Sequence, residues 1–302
     1  MPNRLLLRLA AHGGVRRLVE TSGLTRAVVE RFVAGPRLED GIRAAAGLNT
    51  AGMGAILDYL GENVATDAQA DAAGAAYLAS LEAIAARGLD AHVSVKLTQL
   101  GLDLSFDGAV ARLAEICAAA SAAGSRVAID MEGHAYTDRT IEAYRRVRER
   151  FDHPVLALQA YLKRTFADAE ALAPLHPAVR LVKGAYDEPA DLAYGAWKTK
   201  ESFRKLLAVL LPANPYTGVA THDELLVKEA IRLAHRKEID RARFEFQMLF
   251  GVRRDLQESL VADGYRVRVY VPFGSEWYPY LMRRMAERPA NLRLFLEALA
   301  RG

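Results

Sequence analysis

Apolar runs rich in β-branched residues alternate with amphipathic segments along most of this chain. Short alternating or continuous apolar runs predict strands, whereas apolar positions three and four residues apart predict helices. The predicted strands are GAILDYL (54–60), HVSVKL (92–97), RVAIDM (126–131), PVLALQAY (154–161), VRLVKGAY (179–186), GVAT (218–221), RFEFQML (243–249) and RVRVYVPFG (266–274). The predicted helices cover residues 66–88, 107–123, 137–151, 165–174, 199–211, 223–237, 253–263 and 275–287.

Eight successive strand–helix pairs favour one fold class. An α/β chain of this pattern and length is typical of the closed (β/α)8 TIM-type barrel, whose usual size is about 250 residues. No GxGxxG follows any predicted strand. The sequence therefore disfavours a dinucleotide-binding Rossmann domain.

Further helices are predicted at both ends of the barrel. Residues 1–50 form an N-terminal helical segment expected to pack on the barrel, and residues 51–302 form the catalytic barrel with a terminal helix. That last helix is expected after Pro289, because apolar side chains recur at helical spacing at Leu292, Phe295, Leu296 and Leu299. We expect this stripe to pack on the barrel.

Composition narrows the class of protein. The 302 residues are 51% hydrophobic and 25% charged, with a formal net charge of +3 and scattered basic residues, so disorder and a nucleic-acid partner are disfavoured. The one cysteine, Cys117, lies among alanines, where we expect a buried thiol in a reducing, cytoplasmic compartment. We expect no metal site, and the mature chain is expected to begin near residue 1.

Polar side chains interrupt the predicted strands at positions where a barrel interior usually holds Val, Ile or Leu. A single such group is most often a satisfied structural residue, but many converging ones would carry a large desolvation cost without a ligand or a network. We therefore predict a ligand site at the carboxyl ends of the strands. The polar residues are Asp58, Lys96, Asp130, Gln159, Arg180, Lys183, Glu245, Gln247 and Tyr270.

The spacing within the fifth strand limits which side chains reach that site. Arg180 and Lys183 are three residues apart, so they face opposite sides of a regular strand. We expect the strand to end before Lys183 and Gly184, which would then lie in the following loop. His222 lies at a strand–helix junction, where it would contact a phosphate or serve as a capping or packing residue.

The final predicted barrel helix carries a polar stripe, since Tyr280, Arg283, Arg284 and Glu287 lie at i, i+3, i+4 and i+7. Adjacent arginines suit bidentate binding of a carboxylate, so the stripe indicates a small anionic substrate. A solvated helix face is the alternative. Glu62, just past the first strand, is a candidate partner for one of these arginines.

Nine motifs, in order, resemble the proline dehydrogenase family, a group of flavin-dependent barrels. They are ILDYLGE, SVKLTQLG, IDMEG, LQAYLKRT, RLVKGAY, ATHD, FEFQMLFGV, YVPFG and YLMRRMAER, and they span residues from about 50 to 290. The resemblance implies that Lys96, Arg283 and Arg284 bind the substrate carboxylate, that Tyr270 and Tyr280 shape the pocket, and that Asp130 and Arg180 are catalytic. It also implies a gate of Glu62 with Arg283, and FAD contacts at Met131, Gln159, Lys183, Gly184, Ala185, Thr221 and His222.

The resemblance further implies a reaction and its partners. L-Proline would be oxidised to Δ1-pyrroline-5-carboxylate by hydride transfer to flavin N5, and the electrons would pass to a quinone with peripheral contact at the inner face of the cytoplasmic membrane. A separate pyrroline-5-carboxylate dehydrogenase would take the product. Where many relatives have an aromatic residue after VKGAY, this chain has Asp187, so the adenine contact is left open.

Two other classes of function remain open from the residues alone. Lys183 at a strand end also suits a Schiff-base-forming barrel lyase. A non-enzymatic amino-acid-binding barrel would use the same cations, but it would give Asp130 and Arg180 no obvious role.

Overall fold

The computed structural model of this protein describes residues 29–287, with side chains as far as Met282. Eight strands lie in this part of the chain: β1 (Gly54–Tyr59), β2 (Ala91–Val95), β3 (Val127–Ile129), β4 (Val155–Gln159), β5 (Ala178–Val182), β6 (Thr217–Ala220), β7 (Phe244–Leu249) and β8 (Val267–Phe273). The α-helices are α1 (Leu38–Thr50), α2 (Asp67–Ala86), α3 (Phe106–Ala122), α4 (Thr137–Arg148), α5 (Thr165–Leu172), α6 (Ala196–Ala213), α7 (Glu224–Arg236), α8 (Arg254–Ala262) and α9 (Trp277–Glu287).

The strands form a closed parallel barrel in chain order, and β8 pairs with β1 to complete it. The predicted (β/α)8 fold is therefore confirmed. Strands that are covered on both faces read as apolar runs, which explains why continuous runs such as Val267–Phe273 predicted them correctly. Apolar side chains of the strands and the surrounding helices form one large buried cluster.

Helix starts follow from local capping residues. Thr66 accepts a hydrogen bond from the Gln69 backbone N–H at the start of α2, and Ser105 does the same for Gly108 in α3. Such caps satisfy backbone donors that the first helical turn leaves without partners. They fix the points at which the chain leaves the mouth of the barrel.

Several strands end earlier than predicted. The sequence pattern extends the second strand to Leu97 and the third to Met131, whereas the structure ends β2 at Val95 and β3 at Ile129. The residues beyond these ends lie in the loops at the mouth. As predicted, Lys183 and Gly184 follow β5 and lie outside it.

The described part of the N-terminal segment lies against the strands that close the barrel. Helix α1 packs on β1 and β8, with Ile42 and Ala45 buried. Residues 1–28 and the predicted terminal helix with Leu292–Leu299 lie outside the described residues, so the proposed division of the chain stays a prediction. Between residues 29 and 287, no helix has the length and apolar character needed to cross a membrane.

Candidate active site

A cavity of about 500 Å³ opens at the carboxyl ends of the strands. Predicted site residues from β1 to β8 line it together, as expected for the functional face of this fold. Its walls include Asp58, Lys96, Asp130, Met131, Gln159, Arg180, Lys183, Gly184, Ala185, Thr221, His222, Gln247, Tyr270 and Tyr280. Of the polar strand residues, Glu245 is the exception, since it lies deeper and does not line the cavity.

Lys96 is the centre of a buried charge cluster. Its Nζ lies 2.7 Å from Asp58 Oδ1 and 3.7 Å from Asp130 Oδ2. The Tyr270 hydroxyl donates to the same Asp130 oxygen at 2.6 Å. The two carboxylates thus fix one ammonium group at the mouth of the barrel.

The ionisation of this cluster follows from its contacts. Burial disfavours the charged form of Lys96, but Asp58 and other nearby groups outweigh it and hold the pKa of the ammonium well above its usual range. Burial also opposes ionisation of Asp130, yet Lys96 and Arg180 lower the pKa of that carboxyl. Lys96 and Asp130 are therefore both charged at neutral pH.

Arg180 is held on three sides. Its Nη1 donates to Asp130 Oδ1 at 3.1 Å, and its Nε donates to Gln247 Oε1 at 2.9 Å. The Tyr270 ring centroid lies 4.7 Å from the guanidinium carbon, which is within cation–π range. The guanidinium is consequently a fixed positive charge on the cavity wall.

Lys183 lies in a second charged group nearer the outside. Its Nζ and that of Lys200 each lie 3.1 Å from Asp223 Oδ2. Asp223 also caps α7 by accepting from the Leu225 backbone N–H. Arg180 and Lys183 reach one cavity because β5 ends between them.

A tight loop after β5 forms one wall of the cavity. Gly184 has φ +109°, and a Cβ there would lie 2.2 Å from the Tyr161 ring, so the site requires glycine. The backbone N–H of Tyr194 donates to Tyr161 O at 2.7 Å and joins the loop to the end of β4. Asp187 in this loop is exposed.

His222 and Gln159 each make a structural contact at the cavity wall. His222 Nε2 accepts from the Leu249 backbone N–H at 2.9 Å, which fixes the ring, while the adjacent Asp223 caps the helix. Gln159 Nε2 donates to the Glu132 carbonyl at 2.8 Å and fastens β4 to the loop after β3. The N-cap of α7 is thus Asp223, and the His222 ring packs against the end of β7.

The predicted carboxylate site is described in part. Tyr280 is buried and lines both the main cavity and a neighbouring one of about 450 Å³, which Lys96 and Glu62 also line. The side chains of Arg283 and Arg284 lie outside the described residues, and so does the predicted contact of Arg283 with Glu62. These assignments stay predictions.

Sequence reasoning missed three charged residues at the mouth. Asp223 and Lys200 surround Lys183, and buried Glu188 accepts from the His134 backbone N–H at 2.8 Å. Asp223 carried a usable signal, because an Asp directly before a helix marks an N-cap. Lys200 and Glu188 carried none, since their partners are distant in sequence.

Similarity to known proteins decides the family. The sequence profile described as proline dehydrogenase matches residues 42–295. The chain belongs to the proline dehydrogenase family. It is 39% identical over 276 residues to proline dehydrogenase 1 of Bacillus subtilis strain 168, covering 91% of each chain, and 38% identical over 281 residues to proline dehydrogenase of Deinococcus radiodurans, again covering 91% of each. The prediction of an oxidoreductase of this family is confirmed.

Solved structures agree on the fold. Proline utilization A from Bdellovibrio bacteriovorus, inactivated by N-propargylglycine, superposes with a TM-score of 0.80 at 22% identity over 86% of this chain. A Bradyrhizobium japonicum proline utilization A variant gives 0.75 at 25% identity over 89%. This chain spans 32% of the length of each of those proteins.

Proposed function

We propose that this protein oxidises L-proline to Δ1-pyrroline-5-carboxylate with FAD as cofactor and a quinone as the final electron acceptor. The observation that carries the proposal is the convergence of Lys96, Asp130, Arg180 and Tyr270 on one cavity in a barrel of the proline dehydrogenase family. This set supplies cations for a carboxylate and a fixed charge beside a reacting ring. A barrel interior without a binding site would not need these four polar groups around one cavity.

The cavity residues fit FAD by their chemistry. Lys183, Thr221 and His222 surround the start of α7, where positive charge and polar groups suit a diphosphate, and Gly184 with Ala185 brings the backbone to the same wall. Deeper in the cavity, Met131 and Gln159 offer one apolar and one amide surface. FAD, when bound, supplies the hydride acceptor. We propose these residues as its contacts.

The substrate would bind by its carboxylate and its apolar ring. We propose that Lys96, Arg283 and Arg284 hold the carboxylate, with Tyr270 and Tyr280 as walls of the pocket. Asp58 and Asp130 keep Lys96 in place as an ammonium. Electrostatic contacts of this kind fix the orientation of the ring, which is the main contribution a protein makes to such a transfer.

Asp130 and Arg180 are proposed as the catalytic residues. Asp130 contacts Lys96, Arg180 and Tyr270 simultaneously, so it sets the relative positions of the substrate cation and the cavity-wall cation. With FAD bound, Arg180 would supply a permanent positive charge to the flavin, whose electron density increases when it accepts hydride. A fixed charge in a water-poor site stabilises such a change without reorganisation.

The remaining steps require partners. A quinone would accept the electrons during peripheral contact with the inner face of the cytoplasmic membrane, and a separate pyrroline-5-carboxylate dehydrogenase would consume the product. Glu62, on the wall of the second cavity beside Lys96, is proposed to gate substrate entry together with Arg283. The lyase alternative is disfavoured because Lys183 is ion-paired with Asp223 rather than enclosed by apolar groups.

A visible absorption spectrum tests cofactor and substrate together. The purified protein should be yellow, acid precipitation should release the pigment, and anaerobic L-proline should bleach it. A folded, colourless preparation that takes up no added FAD would contradict the cofactor proposal. Borohydride trapping of substrate on Lys183 would support the lyase instead.

The carboxylate site has its own test. Arg284→Met should weaken binding of proline, and of a carboxylate analogue lacking the ring nitrogen, by about 2–5 kcal/mol, which is roughly 30-fold to several thousand-fold. Lys205→Met is the matched control, because Lys205 forms an exposed pair with Glu201. Parent-like affinity of the Arg284 variant would show that this arginine belongs to a solvated face.

A further inference from the structure

We propose that Gln247 is a positioning residue for Arg180 and that Glu245, from deeper in the barrel, sets the orientation of Gln247. The inference rests on the proposed function, since it concerns how the catalytic cation is held. Gln247 and Glu245 are polar strand residues for which the proposed function gives no contact with the substrate carboxylate or the cofactor phosphates.

The guanidinium of Arg180 has two kinds of hydrogen-bond partner. Asp130 accepts from Nη1, but the same carboxylate also contacts Lys96 and Tyr270. Asp130 will therefore respond to any ligand that approaches Lys96. Gln247 accepts from Nε at 2.9 Å, carries no charge and is 2% exposed. It gives the guanidinium an anchor that is independent of the substrate.

Residues deeper in the barrel determine the orientation of the Gln247 amide. Its Nε2 donates to Glu245 Oε1 at 2.9 Å and to the Tyr216 hydroxyl at 3.0 Å. The same Glu245 oxygen also accepts from Arg268 Nε and from the Tyr216 hydroxyl, so it is an acceptor and the NH₂ group of the amide must face it. The carbonyl oxygen is then left facing Arg180.

Glu245 is itself immobilised. Arg268 Nε donates to its Oε1 at 2.7 Å, and the Tyr216 hydroxyl donates to the same oxygen at 2.6 Å. Both Glu245 and Arg268 are 1% exposed. A rigid, fully buried ion pair thus fixes the amide, and the amide fixes the catalytic cation.

Gly218 provides the space for this arrangement. It lies on β6 beside Glu245 of β7, and a Cβ there would lie 2.6 Å from Gln247 Nε2. An alanine at this position must displace the amide. The glycine therefore offers a second way to disturb Gln247 without removing any polar group.

The test compares Gln247→Met and Gly218→Ala with the parent holoenzyme. In a single turnover, proline should reduce the bound flavin about 10-fold to 100-fold more slowly in each variant, because small displacements of a catalytic group from its working position lower the rate strongly. The dissociation constant of the carboxylate analogue should change less than about threefold. The midpoint potential of the bound flavin should fall as the positive charge moves away.

In the double variant, the loss of reduction rate should be less than the sum of the two single losses, because both changes act on one amide.

Gln257→Met is the control for loss of a buried amide, since Gln257 is 3% exposed and its Nε2 bonds backbone oxygens of residues 249 and 252. It should lower thermal stability and leave the reduction rate and the potential near parent values. Equal losses in this control, or a parent-like rate and potential in both Gln247→Met and Gly218→Ala, would overturn the inference.

Different measurements test the proposed function and the role of Gln247. A parent flavin that proline does not bleach would refute the proposed function, while the potentials of the variants would still report on the position of Arg180. Crystal structures of both variants give a readout that needs no ligand. A guanidinium displaced from Asp130 supports the inference, and an unmoved guanidinium refutes it.

Discussion

The mouth and the floor of this barrel both contain buried ion pairs, yet the two regions differ in what those pairs face. At the mouth, Lys96 is shared by Asp58 and Asp130 and borders a cavity. At the floor, Arg268 joins Glu245 to Asp90, and neither Glu245 nor Arg268 borders the cavity. A buried charge in a strand therefore indicates a binding site only where a cavity lies beside it.

The energetic consequences should differ in the same way. Breaking a buried pair by removing one partner is costly because it leaves the other charge without compensation. At the floor most of the cost should appear as lost stability, and any loss of catalysis should be indirect, through Gln247. At the mouth, part of the cost should appear as lost binding and lost catalysis, because the proposed substrate would use the same charges.

The largest effect is expected at the floor. Arg268→Met should reduce the free energy of unfolding by about 3–5 kcal/mol, measured by urea denaturation, because Glu245 would remain buried without its cation. The double variant Glu245→Leu with Arg268→Met should recover part of that loss. If the single variant is as stable as the parent, the floor pair does not stabilise the fold.

Lys96→Met tests the mouth. It removes the cation between two carboxylates and should weaken proline binding by about 2–5 kcal/mol, measured by titration of the flavin spectrum. Lys205→Met, at an exposed lysine, should leave the affinity unchanged. If Lys96→Met loses stability but binds proline as tightly as the parent, Lys96 stabilises the fold without binding substrate, as the floor pair does.

A smaller effect is expected at the outer edge of the mouth, where hydrogen bonds from Lys183 and Lys200 outweigh burial and lower the pKa of Asp223 from 3.8 to about 2. Because folding lowers this pKa, its stabilisation is complete above the unfolded value and is lost as pH falls from about 4 towards 2. The shift sets an upper limit of about 2 kcal/mol. Parent and Asp223→Asn should therefore differ in stability at pH 6 and converge near pH 2. A difference that does not depend on pH would refute the assignment.

The smallest effect is expected away from both regions. Cys117 is buried in α3, and burial raises the pKa of its thiol to about 12. Thiol reagents at pH 8 should therefore label the native protein no faster than it unfolds. Cys117→Ala should retain parent catalysis. Rapid labelling of the native protein would show that the thiol is accessible.

The sequence by itself determined the fold and the identities of most residues around the cavity. Hydrophobic periodicity is a local property, and eight strand–helix alternations leave few topologies other than the closed barrel. The carboxyl ends of parallel strands meet at one face, so polar residues at those ends converge whatever their detailed contacts. Asp130 and Tyr270 were predicted together for this reason, although 140 positions separate them.

Only the tertiary structure decided which charge pairs with which. Glu245 and Gln247 share one face of β7 by the two-residue period, but their depths differ by about 7 Å, and that separates a floor residue from a cavity residue. Lys200 reaches Asp223 from another helix, and Gly218 admits the Gln247 amide from the neighbouring strand. These contacts depend on register and side-chain packing between elements distant in sequence, which local patterns do not encode.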